Sequence, residues 1–152
     1  IFPVTGDKYN TYEAVEKARD LLVPHGVYPL RFWRAWNHQD LEQTCEAKRF
    51  EVDGLIIKPF QGSGGAGVLP LMKDTSVGEV VEGSLNEFHT KYGQRVSPFP
   101  YTVCEKIQPW KATWRGQPHN FDIRIYVARQ EDSLIPVGCL FRIAPKPDTG
   151  TY

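Results

Sequence analysis

The chain has 152 residues, the usual size of one domain, and its 41% hydrophobic and 24% charged residues are typical of a globular protein. The 18 basic and 18 acidic side chains cancel, which argues against a general attraction to nucleic acid or to an acidic membrane surface. Any anion-binding site must therefore be local.

No apolar run approaches the length of a membrane span. The three cysteines, Cys45, Cys104 and Cys139, are too few and too far apart for a disulfide framework or a zinc knuckle. We therefore expect free thiols in a reducing compartment and a cytoplasmic protein with no membrane partner. Because the chain begins with Ile1, has no leader and stops at Tyr152 after a strand-like run, we also expect it to be part of a longer protein.

The first predicted element is a helix. The spacing of Asn10 and Glu13 predicts a capping box at its start, and Glu13 can pair with Lys17 one turn later. Pro24 and Gly26 predict its end.

A strand and a second helix follow. Residues 27–36, VYPLRFWRAW, are rich in aromatic side chains and predict an extended segment. Asn37 predicts the cap of a helix over about 38–50, with Leu41 and Cys45 facing inward.

The middle of the chain predicts two paired strands and a third helix. Residues 54–60 predict a buried strand, and residues 68–72 predict a short strand that pairs back on it. Ser76 predicts the start of a helix whose apolar positions fall at helical spacing: Val77, Val81, Leu85 and Phe88. A loop and a strand over 101–107 follow, and residues 111–120 predict a polar, turn-rich segment that is either partly disordered or a loop over a site.

The clearest strand pattern is FDIRIYVA, residues 121–128, where apolar and polar side chains alternate. This period of two places Asp122 and Arg124 on one face. Residues 134–143 predict an antiparallel partner strand, with Arg142 at its end.

The most informative stretch is GLIIKPFQGSGGAGV, residues 54–68, which places a lysine inside an apolar run and follows it with glycines. Residues 62–67 formally match G-x-G-x-x-G, but a dinucleotide fingerprint should open into a helix, and a strand pattern with Pro70 follows here. A Walker loop needs Gly-Lys-Ser/Thr at its end, where Val68 stands, and no protein-kinase signature occurs.

What remains is a strand lysine, Lys58, followed by a glycine hairpin whose backbone amides can surround phosphate oxygens. Burying an ammonium is costly unless an anion meets it, so a phosphate partner would explain its position. The alternative is a glycine-rich surface hairpin in which Lys58 reaches solvent at the strand end.

The order IIKPFQGSGGAGV, VCEKI, FDIRIYV and CLFRIAP resembles the ATP-grasp family over about residues 31–144. The resemblance implies an α+β fold of two small lobes with antiparallel sheets and packed helices. It places lobe A at about 31–103 and the start of lobe B at about 104, in a single ATP-grasp-like domain over 1–152. It also implies binding of ATP with Mg²⁺.

By this resemblance, Lys58 matches the phosphate-binding lysine. The phosphate-covering loop corresponds to Gly62, Ser63, Gly64, Gly65 and Gly67, and the adenine-binding hinge corresponds to Glu105, Lys106, Ile107 and Gln108. Val103 and Ile57 would line the apolar face of the adenine. The alternative for Glu105 is an ordinary acidic side chain of an edge strand.

Two arginines complete the implied catalytic set. Arg124 and Arg142 would stabilise charge on the transferring phosphoryl group or hold an acidic substrate, because a guanidinium can grip two oxygens at once. For Arg124 the alternative is an ion pair with Asp122.

Two departures from the family pattern stand out. A second phosphate-binding cation should come from the strand before the lysine strand, where both Arg31 and Arg34 are available. The Mg²⁺ ligands of the family lie beyond the arginine strand, so we expect none of them within this chain.

The resemblance implies an ATP-dependent ligase in its full-length form. It would activate a small-molecule or peptide carboxylate as an acyl phosphate for attack by an amine or similar nucleophile. Two alternatives stay open: a phosphotransferase with the same nucleotide pocket, and a non-catalytic binding module with a degenerate ATP-grasp fold.

Overall fold

The computed structural model describes residues 7–61 and 64–147, and the chain divides into two compact units, residues 1–107 and 108–152. Both units are built on antiparallel sheets, and the helices belong to the first. The structure is thus mixed α and β, as the sequence predicted. Among the described residues, no helix has the length and apolar character needed to cross a bilayer.

The first unit holds a four-stranded antiparallel sheet. Its strands are β1 (Phe32–Ala35), β2 (Leu55–Pro59), β3 (Leu69–Leu71) and β4 (Tyr101–Glu105), in the spatial order β1-β4-β2-β3. The predicted pairing of β2 with the short strand after the glycine segment is confirmed, with Leu55 opposite Leu71 and Ile57 opposite Leu69. The central strand β4 is buried on both faces, because helices cover the sheet on both sides.

The helices of this unit are α1 (Lys8–Lys17), α2 (Arg19–Leu22), α3 (His38–Lys48) and α4 (Val77–Tyr92), with one turn of 3₁₀-helix at Val23–His25. Gly26 ends the 3₁₀ turn in the left-handed conformation, with φ 76°, which glycine adopts without steric cost.

The predicted start of the first helix was wrong. Asp7, rather than Asn10, is the cap: its carboxylate accepts from the backbone amide of Tyr9 at 2.8 Å. Asn10 lies inside the helix, and its side chain accepts from Arg34 at 3.3 Å. The local pattern around Asn10 was compatible with a cap, but the aspartate one turn earlier competes for the same role. The predicted Glu13–Lys17 pair is confirmed at 3.0 Å.

The other two helix starts are confirmed. The Asn37 side chain accepts from the Asp40 amide at 3.0 Å, and the Ser76 hydroxyl accepts from the Glu79 amide at 3.4 Å. Helix α3 ends at Lys48, two positions before the predicted end. The inward faces are also as predicted, with these side chains buried: Leu41, Cys45, Val77, Val81 and Phe88.

The two faces of the sheet are covered differently. Helices α3 and α4 pack on the face that carries Leu55, Ile57 and Val103 and form the hydrophobic core with it. Helix α1 lies on the opposite face, where Tyr9 and Tyr12 contact the ring of Phe32 with centroid distances of 5.1 and 5.7 Å. No residue of α1 is buried, so this helix lies on the sheet without entering the core.

The second unit is a three-stranded antiparallel sheet of β5 (Lys111–Trp114), β6 (Gln117–Gln130) and β7 (Ser133–Ile143), in that order. The prediction that residues 111–120 are a loop or partly disordered was wrong, because they form β5 and the start of β6. Arg115 and Gly116, with φ of 51° and 75°, form a tight two-residue turn between β5 and β6. Two successive left-handed residues suit such a hairpin, but arginine is not a residue that sequence patterns associate with that conformation.

The predicted pairing of β6 with β7 is confirmed. Asp122 lies opposite Arg142 and Arg124 opposite Leu140, so these four side chains share one face. Many apolar side chains of this hairpin are exposed within the described structure, including Ile125, Val127, Val137 and Phe141.

Candidate functional site

Lys58 lies near the end of β2, on the face of the sheet that α1 covers. Its neighbours along the strand, Ile57 and Pro59, are buried on the other face, while Lys58 itself is half-buried. The Nζ atom of Lys58 lies 2.6 Å from the hydroxyl oxygen of Tyr12, and 5.2 Å from the centre of its ring. The lysine therefore has an uncharged partner supplied by α1.

Burial and the neighbouring side chains act on the pKa of Lys58 in opposite directions. Burial lowers the pKa of its ammonium, but the thiol of Cys104 and the hydroxyl of Tyr12 raise the pKa, and the net direction is upward. The ion pairs among the described residues join other side chains, and no described carboxylate pairs with Lys58. This part of the structure thus holds a charged, half-buried lysine without an anionic partner.

A second lysine, Lys8, lies close by at the start of α1. Its Nζ donates to the carbonyl oxygen of Pro59 at 3.0 Å, directly beside Lys58 in the chain. Burial lowers the pKa of Lys8, and the positive charge of Lys58 lowers it further. Two ammonium groups from different elements are therefore near neighbours at the end of β2.

Sequence reasoning missed Lys8, because it lies before the predicted start of the first helix. The available signal was Asp7, a good capping residue immediately ahead of it. A helix that begins at Lys8 places Lys8 and Tyr12 one turn apart on the same face, and both side chains reach β2.

The glycine segment after β2 is a turn, followed by β3. Gly62 and Ser63 lie outside the described residues. Gly64 and Gly65 are exposed and adopt left-handed conformations, with φ of 70° and 80°, and a β-carbon at Gly64 would lie 3.0 Å from the Nζ atom of Lys91. This exposed backbone, with a lysine at close range, is suited to an anion.

Gly67 has a different role from the other loop glycines. It is buried, and its amide donates to the Glu87 carboxylate at 3.2 Å. A β-carbon at this position would lie 2.9 Å from the carbonyl oxygen of Ser84, so only glycine fits against α4. Gly67 anchors the end of the loop, and its N–H group already has an acceptor.

Of the four residues predicted as the adenine hinge, Glu105 and Lys106 are bonded to neighbouring segments of the sheet, while Ile107 and Gln108 are exposed. The Glu105 carboxylate accepts from the backbone amide of Arg31 at 3.0 Å and from its Nε atom at 3.1 Å, which joins β4 to the chain leading into β1. The Lys106 amide donates to Gly54 at 2.8 Å. Ile107 is 57% exposed, and Gln108, also exposed, begins the second unit.

The predicted lining of the adenine face was wrong. Ile57 and Val103 are fully buried in the core against α3 and α4, on the opposite face of the sheet from Lys58. The residues of β2 and β4 that share the face of Lys58 are Ile56, Cys104 and Thr102, with Ile56 opposite Cys104 and Thr102 opposite Lys58. Since β2 is apolar at successive positions, its sequence does not distinguish its two faces.

Both arginines considered as the second phosphate cation have other partners. Arg31 pairs with Glu105. Arg34 pairs with Asp7 and lies over the ring of Tyr9, with 4.1 Å between the guanidinium carbon and the ring centre. Arg34 is on the face of Lys58, and each of them lies opposite Thr102 in the sheet.

The two predicted catalytic arginines lie in the second unit and differ in their contacts. Arg142 forms a two-pronged ion pair with Asp122, with the Nε atom 2.7 Å from Oδ1. This hydrogen bond holds the pKa of Asp122 below its ordinary value. Arg124, on the same face, forms no ion pair or hydrogen bond with any described residue. The partner of Asp122 is therefore Arg142 and not Arg124.

The described residues contain no group of three or more His, Cys, Asp and Glu side chains arranged to hold a metal ion. In comparisons with known proteins, no family model matches the chain and no curated protein matches it.

Proposed function

We propose that this chain is the nucleotide-binding part of an ATP-grasp ligase. In its full form, the enzyme would convert a carboxylate into an acyl phosphate with ATP, and an amine or similar nucleophile would then displace the phosphate. The observation that carries the proposal is Lys58: a half-buried lysine that bonds the hydroxyl of Tyr12 and pairs with no described carboxylate, with the left-handed Gly64 and Gly65 a few positions later.

The chemistry of this site favours phosphate as the ligand. A half-buried ammonium gains most from an anion, because the interaction between charges is stronger away from bulk water. The exposed amides around Gly64 and Gly65 are further donors, and a phosphoryl group offers several acceptor oxygens at once. Gly64 follows Lys58 by six positions, and a β-carbon at Gly67 would lie 3.3 Å from the ring of Pro59, so the end of the turn lies beside the end of β2.

Mg²⁺ would bridge phosphate oxygens and neutralise charge in such a reaction. The described residues do not provide a set of ligands for it. In this chain, phosphate recognition would therefore depend on ammonium groups and backbone amides.

Arg124 is the better candidate of the two arginines for a role in phosphoryl transfer. Its guanidinium has no described partner, whereas the donors of Arg142 are committed to Asp122. An uncommitted guanidinium can bind an anionic substrate or a transferring phosphoryl group without first breaking an ion pair.

A second candidate function is nucleotide binding without catalysis. The ion pair of Arg142 with Asp122 favours it, because the donors of one of the two implied catalytic arginines already have a partner. A phosphotransferase that uses the same pocket would share the Lys58 site and differ only in its acceptor.

Thermal unfolding with and without Mg-ATP tests the site. A ligand at about 100 times its dissociation constant stabilises the folded state by about 2.7 kcal/mol, which gives a measurable rise in Tm. We expect Lys58→Met to remove most of that rise. The control is Lys73→Met, because Lys73 is an exposed lysine that pairs with Asp53 at 3.3 Å. An unchanged rise in Lys58→Met would exclude the proposed site.

Assays of phosphate release separate the enzyme classes. A ligase releases inorganic phosphate only when both a carboxylate and an amine are supplied, whereas a phosphotransferase transfers it to an acceptor. A chain that binds ATP and does neither is the binding module.

A further inference from the structure

Helix α1 brings charge to the Lys58 site as well as covering it. The helix has no buried residue and touches the sheet through a few polar and aromatic side chains. Two of these, Lys8 and Tyr12, are directed to the end of β2, where Lys58 and the glycine turn lie.

Lys8 is held close to a second lysine, Lys58, in a partly buried position. Its Nζ donates to the carbonyl of Pro59, the residue after Lys58, at 3.0 Å. That bond uses one of the three N–H groups of the ammonium. Like charges in a partly buried setting repel, so this arrangement is favourable when an anion lies between them.

Burial and the charge of Lys58 lower the pKa of Lys8, and the charge of Asp7 raises it, but no ion pair among the described residues joins Asp7 to either lysine. Asp7 is the helix cap, and its carboxylate is bonded to the Tyr9 amide and to Arg34. Arg31 and Arg34, the arginines of the preceding strand region, are likewise committed to Glu105 and Asp7. Among these described cations, Lys8 is the one that lies beside Lys58 and is not bonded to a carboxylate.

We propose that Lys8 is a second phosphate-binding cation and acts with Lys58, so that α1 and β2 together recognise the polyphosphate of the nucleotide. This inference rests on the proposed nucleotide-binding function. The hydroxyl of Tyr12, 2.6 Å from Lys58, occupies a position on that ammonium that a phosphate oxygen can take. The two ammonium groups bind oxygens of the β- and γ-phosphates, and the adenosine moiety does not contact Lys8.

Calorimetric titration of the full chain with ATP and with AMP tests this assignment. We expect Lys8→Met to weaken ATP binding by about tenfold or more, the range for loss of a charge-assisted hydrogen bond. AMP affinity should change less than twofold, because AMP lacks the phosphates that Lys8 binds. Lys8→Arg keeps the charge and should retain at least half of the preference for ATP over AMP.

The matched control is Lys17→Met, at the other end of α1, where Lys17 pairs with Glu13 in solvent. It should leave both affinities unchanged. Thermal unfolding of each variant without ligand identifies any loss of fold, and Lys8→Arg provides the folded comparison if Lys8→Met is unstable.

The outcomes separate the two proposals. If Lys58→Met loses ATP binding while Lys8→Met keeps it within twofold, the role of Lys8 is excluded and the proposed function stands. If Lys8→Met weakens ATP and AMP equally, Lys8 acts only on the structure of α1 and the inference is overturned. If neither variant changes ATP binding, the proposed function itself is excluded.

Discussion

The Nζ atom of Lys58 lies 2.6 Å from the hydroxyl oxygen of Tyr12, 46 positions earlier in the chain. This contact joins the helix that precedes the sheet to the strand that leads into the glycine turn. It is the main polar link between α1 and β2 besides the bond from Lys8 to Pro59.

Tyr12→Phe removes that hydrogen bond and keeps the ring. Hydrogen bonds to charged groups contribute about 1.5–3 kcal/mol, and Lys58 is only half-buried. We therefore expect the free energy of unfolding to fall by an amount at the lower end, about 1–2 kcal/mol. The effect should be fully present at neutral pH and be lost as pH rises from the ordinary lysine pKa through the raised pKa of Lys58, because the ammonium then loses its charge in the folded state as well. Urea unfolding at neutral and alkaline pH measures both effects.

Tyr28→Phe is the control for this change, because Tyr28 is 70% exposed. Equal stabilities of Tyr12→Phe and Tyr28→Phe at neutral pH would show that the Lys58–Tyr12 bond contributes nothing.

Gly67→Ala and Gly65→Ala form a matched pair. Both positions have left-handed backbones, with φ of 73° and 80°, so both substitutions carry a similar conformational cost of about 1 kcal/mol. A β-carbon at Gly67 would also meet Ser84 at 2.9 Å and Phe88 at 3.2 Å, whereas nothing lies within 4 Å at Gly65. We expect Gly67→Ala to lose at least about 2 kcal/mol more in urea unfolding, in the range for overpacking. Equal losses of unfolding free energy in the two variants would show that α4 moves to accommodate the new β-carbon at no cost.

The three cysteines should differ in reactivity. Cys139 is exposed, while Cys45 and Cys104 are buried. Burial raises the pKa of the Cys45 thiol to about 12, with further contributions from Glu46 and Glu42, so the reactive thiolate is scarce at pH 8. A colorimetric thiol reagent should modify one thiol quickly in the native protein and all three in denaturant. Rapid modification of all three thiols without denaturant would contradict the burial of Cys45 in α3 and of Cys104 in β4.

The Asp122 carboxylate should titrate below the ordinary aspartate pKa of about 3.9. Its hydrogen bond from Arg142 lowers the pKa, so the pair contributes to stability above the ordinary value and loses that contribution as pH falls through the lowered one. NMR titration of this carboxyl group in the parent chain and in Arg142→Met measures the shift. We expect the pKa to rise in the variant, and Arg124→Met should change it much less.

Local sequence signals predicted much of the first unit. Asn37 and Ser76 have side chains that cap helices, and the apolar spacing behind them places the inward faces correctly. These predictions depend on neighbours within one or two turns, which a sequence displays directly.

The predictions that failed depend on contacts between distant residues or on competition between similar signals. Ile57 faces the core rather than a ligand because α3 and α4 cover that side of β2, which the apolar run itself does not specify. Lys8 reaches Pro59 only because α1 folds across the sheet. The turn at Arg115 is stabilised by the strands on both sides, which overcome the poor left-handed preference of arginine.

The absence of buried residues in α1 has a consequence for the affinity of the site for nucleotide. A helix without buried residues is held by little apolar area, so its docked state competes with states in which it has detached. If Lys8 binds phosphate, only the docked fraction is competent, and the apparent dissociation constant equals the intrinsic one divided by that fraction. Substitutions at the Tyr9–Phe32 contact would then tune nucleotide affinity without touching the nucleotide.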